Sequence, residues 1–445
     1  MSIVRSPVRS VVRSPVQGVF GGSASLLEQA TSALGNVAPY HWLDFIANRA
    51  LYASVDVGNV TQATGYSFTR ASDGYYTNSD GTLTNFASGA LRRGDRGVLI
   101  EGARTNLIFR SQEFGTTWTV QRTTVTENTI AAPDGTTTAD TMLETVDNGN
   151  HGVFQNITKA ASSITYALSC HIKPNGRDWA ILQLTGPGET NRVRVWFDLT
   201  GSGTVGSNVA AGTGFSFVSA SIQALANGWY RCVAVITGDT DTSHTLHIRP
   251  ATGDTLIAYA GDITKGLYLW GAQLEAASFA SSYIPTVAAS ATRAADSLLY
   301  TAGVSYPLSL WAEFERSADT GGTELVMVVD DGDLSDYASM TVDGTDLLNS
   351  VMVRASVSQG GSAVTGATAA LTVYKGAVRF NTNSIMAARG GTLGLEDTVA
   401  TLAATPTTIR LGAYAGGINY SFQYLRKIAI FNSALTDAQL QTVST

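Results

Sequence analysis

The sequence predicts an all-β protein, with tandem jelly-roll and β-sandwich domains after an extended N-terminal arm and a short helix. Three observations carry this prediction. Charged residues are only 14% of the 445 residues, and 45 glycines stand among abundant serine and threonine, which suits many short strands joined by tight turns. Stretches of period-2 alternation separated by turn residues recur between residues 138 and 275, whereas helical periodicity is scarce. In GLYLWGAQLE (266–275), Leu267 and Leu269 point to one side of an extended chain, and Tyr268, Trp270, Ala272 and Leu274 to the other. A strand apolar on both faces belongs inside a sheet that is covered on both faces. Pro285 ends this segment, because its ring removes a ladder donor.

The first twenty residues repeat VRSPVRSV as VRSPVQGV. Arg5, Arg9 and Arg13 recur every fourth residue without an acid to balance them, and Pro7 and Pro15 forbid a regular helix. Such an arm has too little apolar surface to fold alone. It is either a disordered basic tail or a peptide that becomes ordered in a partner's groove, held by backbone bonds and arginine pairs. Ser25 and Glu28 then form a capping box that opens a short helix closed by Gly35, with Leu27, Ala30 and Leu34 on one face. A helix this short needs a partner, and a symmetric bundle with copies of itself is one solution.

From Trp42 the pattern turns to β, with Asp73-Gly74 and Asp80-Gly81 as turn dipeptides. Strands are predicted near 138–144, 151–157, 164–173, 178–185, 192–199, 215–223, 229–237, 244–250 and 266–275, the spacing of a sandwich or jelly roll. The expected organisation is an arm and helix over 1–37, a β-rich connecting region over 38–117, a jelly roll over 118–288, a linker over 289–304 and a second sandwich over 305–445. Near the C-terminus, Thr436 and Gln439 form a second capping box that opens a terminal helix, with Leu440 facing back to the sheet.

The net charge of −7 argues against a nucleic-acid-binding protein, whose footprint would be a basic face. Apolar runs such as LVMVV (325–329) fall far short of a bilayer span, and the N-terminus has no apolar secretion signal. Cys170 and Cys232 each fall on the apolar side of an alternating strand and read as buried thiols; a disulfide would require their strands to be neighbours. GSGTVG (201–206) matches a dinucleotide fingerprint, but a strand follows it instead of a helix, so its glycines belong to a β-turn. His244 and His247 point to opposite sides of a strand, and with His171 they read as surface residues. Neither a G-x-S-x-G elbow nor an H-E-x-x-H motif occurs, and no enzyme is expected.

Two tryptophans carry the binding hypothesis. Trp196 shares a strand face with Arg192, Arg194 and Asp198, and Trp311 shares one with Ser309 and Glu313. Sugars lay C–H faces on such rings while polar neighbours take their rims. Trp196, Arg194 and Trp311 are therefore candidate glycan-binding residues, with packing against a neighbouring chain as the alternative for the tryptophans.

The succession FTRASDGYYTNSDG, RGVLIEGARTNLIFRSQEF followed by Trp118, WFDLTGSGTVG, NGWYRCVAVIT, GLYLWGAQLEAASFASSYIPT and TRAADSL resembles tailed-bacteriophage virion proteins over roughly residues 43–300. These are fibre, spike or minor tail proteins that carry a carbohydrate-binding-module-like jelly roll. The segment IRLGAYAGGINYSFQYLRKIAIFNSALTDAQLQTV (409–443) is similar to the end of a laminin-G or concanavalin-like sandwich. The resemblance implies a virion-located homotrimer, exposed on the particle and assembled in the bacterial host cytoplasm. Arg5, Pro7, Arg9, Arg13 and Pro15 would anchor it to other virion proteins, and bacterial surface polysaccharide would be its ligand. A structural head or tail decoration protein without a ligand, or a capsule depolymerase, are the alternatives; no long β-helix period supports the latter. Laminin-G-like domains often bind calcium, for which Asp330, Asp331, Asp333 and Asp336 are the candidates, against a solvated acidic loop. No other cofactor is expected.

Overall fold

The computed structural model of the chain describes residues 24–318, 320–415 and 421–445. The repeat arm, with Arg5, Pro7, Arg9, Arg13 and Pro15, lies outside them. The described chain is all-β and forms two sandwiches, each with its own apolar core.

All nine predicted jelly-roll strands form, and Thr119–Gln121, Thr123–Ile130 and Thr204–Ala211 are strands that the alternation did not predict. One six-stranded sheet runs in the order Thr119–Gln121, Gly152–Thr158, Ser243–Ala251, Trp179–Thr185, Arg192–Asp198, Thr204–Ala211. The facing six-stranded sheet runs Thr123–Ile130, Ala139–Glu144, Gly266–Glu275, Ile164–Asn175, Tyr230–Gly238, Ser216–Ala224. Leu168, Cys170, Leu182, Val195, Ile236 and Leu269 meet between them. Cys170 lies directly opposite Cys232 on adjacent strands. Both thiols are free and buried, and burial pushes them up from the usual thiol range.

The Gly266–Glu275 strand is central and covered on both faces, as its pattern requires. Its alternation, however, is broken. Gly271 takes φ +63° and the pairing with Ile164–Asn175 shifts there, a bulge that only glycine accommodates easily. Ala272 and Leu274 therefore join Leu267 and Leu269 in the jelly-roll core instead of following Trp270 to the outer face. Trp270 packs outside with Tyr75, Trp229 and Tyr283.

The second sandwich draws on both ends of the chain, so the separate connecting region expected over 38–117 is replaced by long-range pairing. His41–Asp44 pairs with Phe422–Phe431, placing Leu43 opposite Ile428, and Gly97–Glu101 pairs with the other end of the same strand. Ser67–Thr69 and Ser297–Thr301 add to the edge of the facing sheet. Burial selects this arrangement: Leu43, Phe45, Val98 and Ile100 fill the same core as Leu310, Met340 and Ile430.

Two helices close one side of this sandwich. Helix α1 (Leu26–Ala33) and helix α2 (Asp437–Ser444) both begin with the predicted capping boxes. Ser25 Oγ accepts from the Glu28 amide at 3.2 Å, and Thr436 Oγ1 accepts from the Gln439 amide at 3.3 Å. The buried side chains of α1, Leu26 and Ala30, together with Leu34, pack with Trp42, Trp311, Leu440 and Val443 of the same chain. That apolar face is thus used internally and does not present itself to a symmetric bundle.

The jelly roll is inserted into the sandwich through a two-stranded neck, where Arg104–Asn106 pairs with Ala291–Arg293. The residues of RGVLIEGARTNL, SSYIPT and TRAADSL converge here. Glu101 accepts from Arg92 at 2.6 Å and from the Ser282 hydroxyl and amide at 2.6 and 2.9 Å, and it forms an ion pair with Arg293 at 3.2 Å. Asp296 in turn accepts from Arg70 at 3.1 Å and from Arg92. Burial alone would raise the Glu101 carboxyl, but Arg293, Arg92 and Ser282 outweigh it and hold the group at about 2. Asn106 uses its whole amide: it donates to Ala272 and Ile284 and accepts from Leu274 and Ile108. Three of the motifs that carry the resemblance therefore meet at the joint between the two bodies, while WFDLTGSGTVG lies in the first jelly-roll sheet.

Candidate functional site

Trp196 and Arg194 lie where alternation puts them, on the outer face of the first jelly-roll sheet, but only Arg194 reaches solvent. Trp196 is 2% exposed, clustered with Ile181 and Ala251, and its Nε1–H donates to the Leu256 carbonyl at 3.1 Å. Residues between Ala251 and Ala258 have folded over it. Trp311 is likewise 1% exposed, stacked on Trp42 at 5.6 Å with an interplanar angle of 13°, and its Nε1–H donates to the Val443 carbonyl at 2.6 Å. Neither ring is a sugar platform in this structure; both are packing residues within one chain.

The face that holds Arg194 nevertheless carries a dense polar array. Across five strands, Phe154 stands opposite His247, His247 opposite Gln183, Gln183 opposite Arg194, and Arg194 opposite Val209. At a strand spacing of ~4.8 Å this row spans roughly 19 Å. A second row places Asn156, Thr245, Thr185 and Arg192 beside it. Arg249 stands next to His247 on the same strand face.

Period-2 alternation brings these side chains to one side, while Val193, Val195, Leu182 and Leu246 fill the core on the other. Arg194 Nε donates to Gln183 Oε1 at 2.6 Å. Arg249 Nη2 donates to His247 Nδ1 at 2.8 Å, and because arginine can only donate, the neutral His247 carries its proton on Nε2. Burial, with Arg249 and Arg194 nearby, pushes His247 down to about 2. Partial burial and the neighbouring Arg192 and Arg249 lower Arg194 to about 10.

A carboxylate also reaches this array. Glu189, in the turn between Trp179–Thr185 and Arg192–Asp198, accepts from Arg249 at 3.2 Å and from Gln183 at 3.4 Å. Several buried atoms still lack a partner: Arg249 Nε and Nη1, His247 Nε2, Arg192 Nε and Thr185 Oγ1. Native interiors rarely leave such donors unfilled, so a cluster of them beside a half-exposed patch marks a place where a polar ligand can complete the bonding. Beside them Phe154 is half-buried, its ring 5.1 Å from that of His247, and Val209 is exposed.

The remaining histidines also differ from expectation. His171 is buried in the other jelly-roll sheet, against Trp270 and Tyr283, and His244 is buried with Nε2 3.0 Å from Asp239, so none of the three is a surface residue. GSGTVG forms a turn leading into the Thr204–Ala211 strand.

In the acidic loop, Asp330 is buried and accepts from Arg410 at 2.6 Å, while Asp336 accepts from the Ala404 and Ala355 amides. Asp333 caps the Ser335 amide, and Asp331 Oδ2 accepts from the Ser335 hydroxyl. These carboxylates are used in fixing loops, and among the described residues no group of three His, Cys, Asp or Glu side chains converges to hold a metal ion. The calcium candidates are therefore replaced by an ion pair and turn caps. Among the described residues, no helix is long and apolar enough to cross a membrane.

A cleft of about 350 Å³ lies along the seam between the bodies, walled by Val233, Val235, Phe279 and Leu371 with Arg231 beneath. Arg231 is engaged there by the Ser281 carbonyl. The sheet face offers unfilled donors on several residues, which makes it the stronger candidate.

No protein-family model and no curated protein matches the chain. Among solved structures, it is similar to the Ruminococcus gnavus IT-sialidase CBM40 bound to α2,3-sialyllactose, at 10% identity and TM-score 0.28 over 32% of this chain and 84% of that one. It is also similar to the SAP-like pentraxin of Limulus polyphemus, at 14% identity and TM-score 0.27 over 33% and 72%. The mouse laminin α1 chain domains LG4-5 align over 65% of this chain and 94% of theirs, at 11% identity and TM-score 0.22. At these identities and scores the likeness carries no statement about ligand or role.

Proposed function

We propose that this chain is a glycan-binding protein without a reaction of its own, which attaches a phage or phage-like particle to bacterial surface polysaccharide. The observation that carries the binding role is the outer jelly-roll face, where Arg249 and His247 keep buried donors unfilled next to Arg194, Gln183 and the half-buried ring of Phe154. Donors around an apolar surface match the alternation of hydroxyl rim and C–H face on a sugar. The particle setting rests on the motif succession described above, and the anchoring role belongs to the Arg5–Pro15 repeat. Weak single sites suffice in such a design, because copies on one particle bind together. A homotrimer would have to be built by surfaces other than α1, whose apolar side is already covered.

A second reading, a decoration protein without a ligand, is favoured by the burial of Trp196 and Trp311. Binding of the purified protein to bacterial cells, before and after removal of their surface polysaccharide, separates the two. Loss of binding with the polysaccharide supports attachment, and no binding to either favours decoration. Deleting residues 1–20 should leave a folded protein that no longer enters particles; normal incorporation would remove the anchoring role.

A further inference from the structure

We infer that the place now filled by the Glu189 carboxylate is a subsite for the carboxylate of an acidic sugar, a uronic acid or similar, with Glu189 as its internal stand-in. The inference rests on the glycan-binding role of this face and names the class of glycan. Three features support it.

The charge does not balance. Arg249 is 1% exposed and has Glu189 as its neighbouring carboxylate, while Arg122 and Arg192 stand near it as further cations. Arg194 adds another guanidinium to the same face.

Buried donors on Arg249 and His247 are unfilled. Arg249 Nε and Nη1 and His247 Nε2 have no hydrogen-bond partner, although Nε2 lies 3.8 Å from Glu189. A buried guanidinium normally spends its donors on carboxylates in paired, two-point contact.

The stand-in is poorly held. Its bonds to Arg249 and Gln183 run from 3.2 to 3.4 Å, longer than the ~2.7–2.9 Å of a good charge-assisted bond. The Glu189 side chain is 37% exposed, and its backbone takes φ +57°, a conformation that costs a non-glycine residue. A carboxylate arriving from solvent can therefore displace it and meet Arg249, His247 and Gln183 at better geometry.

The test uses D-glucuronate and its neutral counterpart, methyl glucoside, titrated into the full chain by ligand-detected NMR. Wild-type protein should bind glucuronate weakly. Glu189→Ala should bind it about tenfold more tightly, the equivalent of about 1.4 kcal/mol, because the internal competitor is gone. Adding Arg249→Met to Glu189→Ala should abolish the gain, and the half-exposed Arg194→Ala serves the same purpose if that double variant fails to fold. Methyl glucoside affinity should not respond to Glu189→Ala. Equal affinities for the two sugars, unaffected by Glu189→Ala, would leave glycan binding standing and overturn the carboxylate subsite. Absence of binding by either sugar to folded Glu189→Ala would overturn both.

Discussion

Glu101→Gln tests whether the neck is held by its buried charges. Glu101 is 1% exposed and joins strand Gly97–Glu101 of the sandwich to Ser282 and Arg293 at the jelly-roll exit. Holding its carboxyl at about 2 instead of 4.5 is worth about 3 kcal/mol at neutral pH, at about 1.36 kcal/mol per tenfold change in proton affinity. The amide also leaves Arg92 and Arg293 buried with one carboxylate fewer, Asp296 and Glu275 remaining, and removing one partner of a buried ion pair typically costs about 3–5 kcal/mol. Glu101→Gln should therefore lose about 3–5 kcal/mol in urea denaturation at pH 7.

The sign with pH follows from the lowered carboxyl. Below about 4.5 the unfolded chain takes up a proton that the folded chain refuses, so this contribution shrinks as pH falls and is lost as pH passes through about 2. The gap between wild type and variant should narrow over that interval. A loss under about 1 kcal/mol at pH 7, or a gap that stays constant down to pH 2, would refute the account of the neck.

Trp196→Ala should lower stability by about 3–5 kcal/mol, as emptying a buried aromatic site does, whereas Arg194→Ala, which takes one partner from the buried Gln183 amide, should cost only about 1 kcal/mol and weaken glycan binding. His41 provides a separate acid response. Its Nδ1 accepts from the Ala53 amide at 3.2 Å and its Nε2 donates to the Ala302 carbonyl at 2.6 Å, while burial lowers it to about 4. Unfolding then takes up a proton between pH 6.5 and 4, so stability should fall by about 3 kcal/mol over that range, and His41→Gln should flatten the fall. Chelator treatment should not change the melting temperature, because Asp330 is already paired with Arg410; a clear drop would restore a metal to the acidic loop.

What could be read in advance follows from the range of the interactions. Capping boxes are written in four adjacent residues, so both helices begin at Ser25 and Thr436 as expected. Alternation identified the jelly-roll strands and placed Arg192, Arg194 and Trp196 on one face, but it does not say what lies above that face. The turn after Ala251 covers Trp196, and the two helices cover Trp311. The Gly271 bulge escaped for a related reason: strict period 2 has no place for an inserted residue, although a glycine in a strand was the available signal. Pairing of His41–Asp44 with Phe422–Phe431 is a choice among many apolar strands, and nothing local records it. Glu189, His247 and Arg249 meet only when the sheet forms, so no local pattern marks them as a site; RVRVW signals only its own Arg192 and Arg194.

Glycan binding at the outer jelly-roll face is tested by retention of wild type and Arg194→Ala on immobilised bacterial surface polysaccharide, with melting temperatures recorded for both. Wild type should be retained and Arg194→Ala released earlier, with both proteins folded at the temperature of the column. Equal retention of the two proteins would contradict binding at this face, and retention of neither would contradict glycan binding itself.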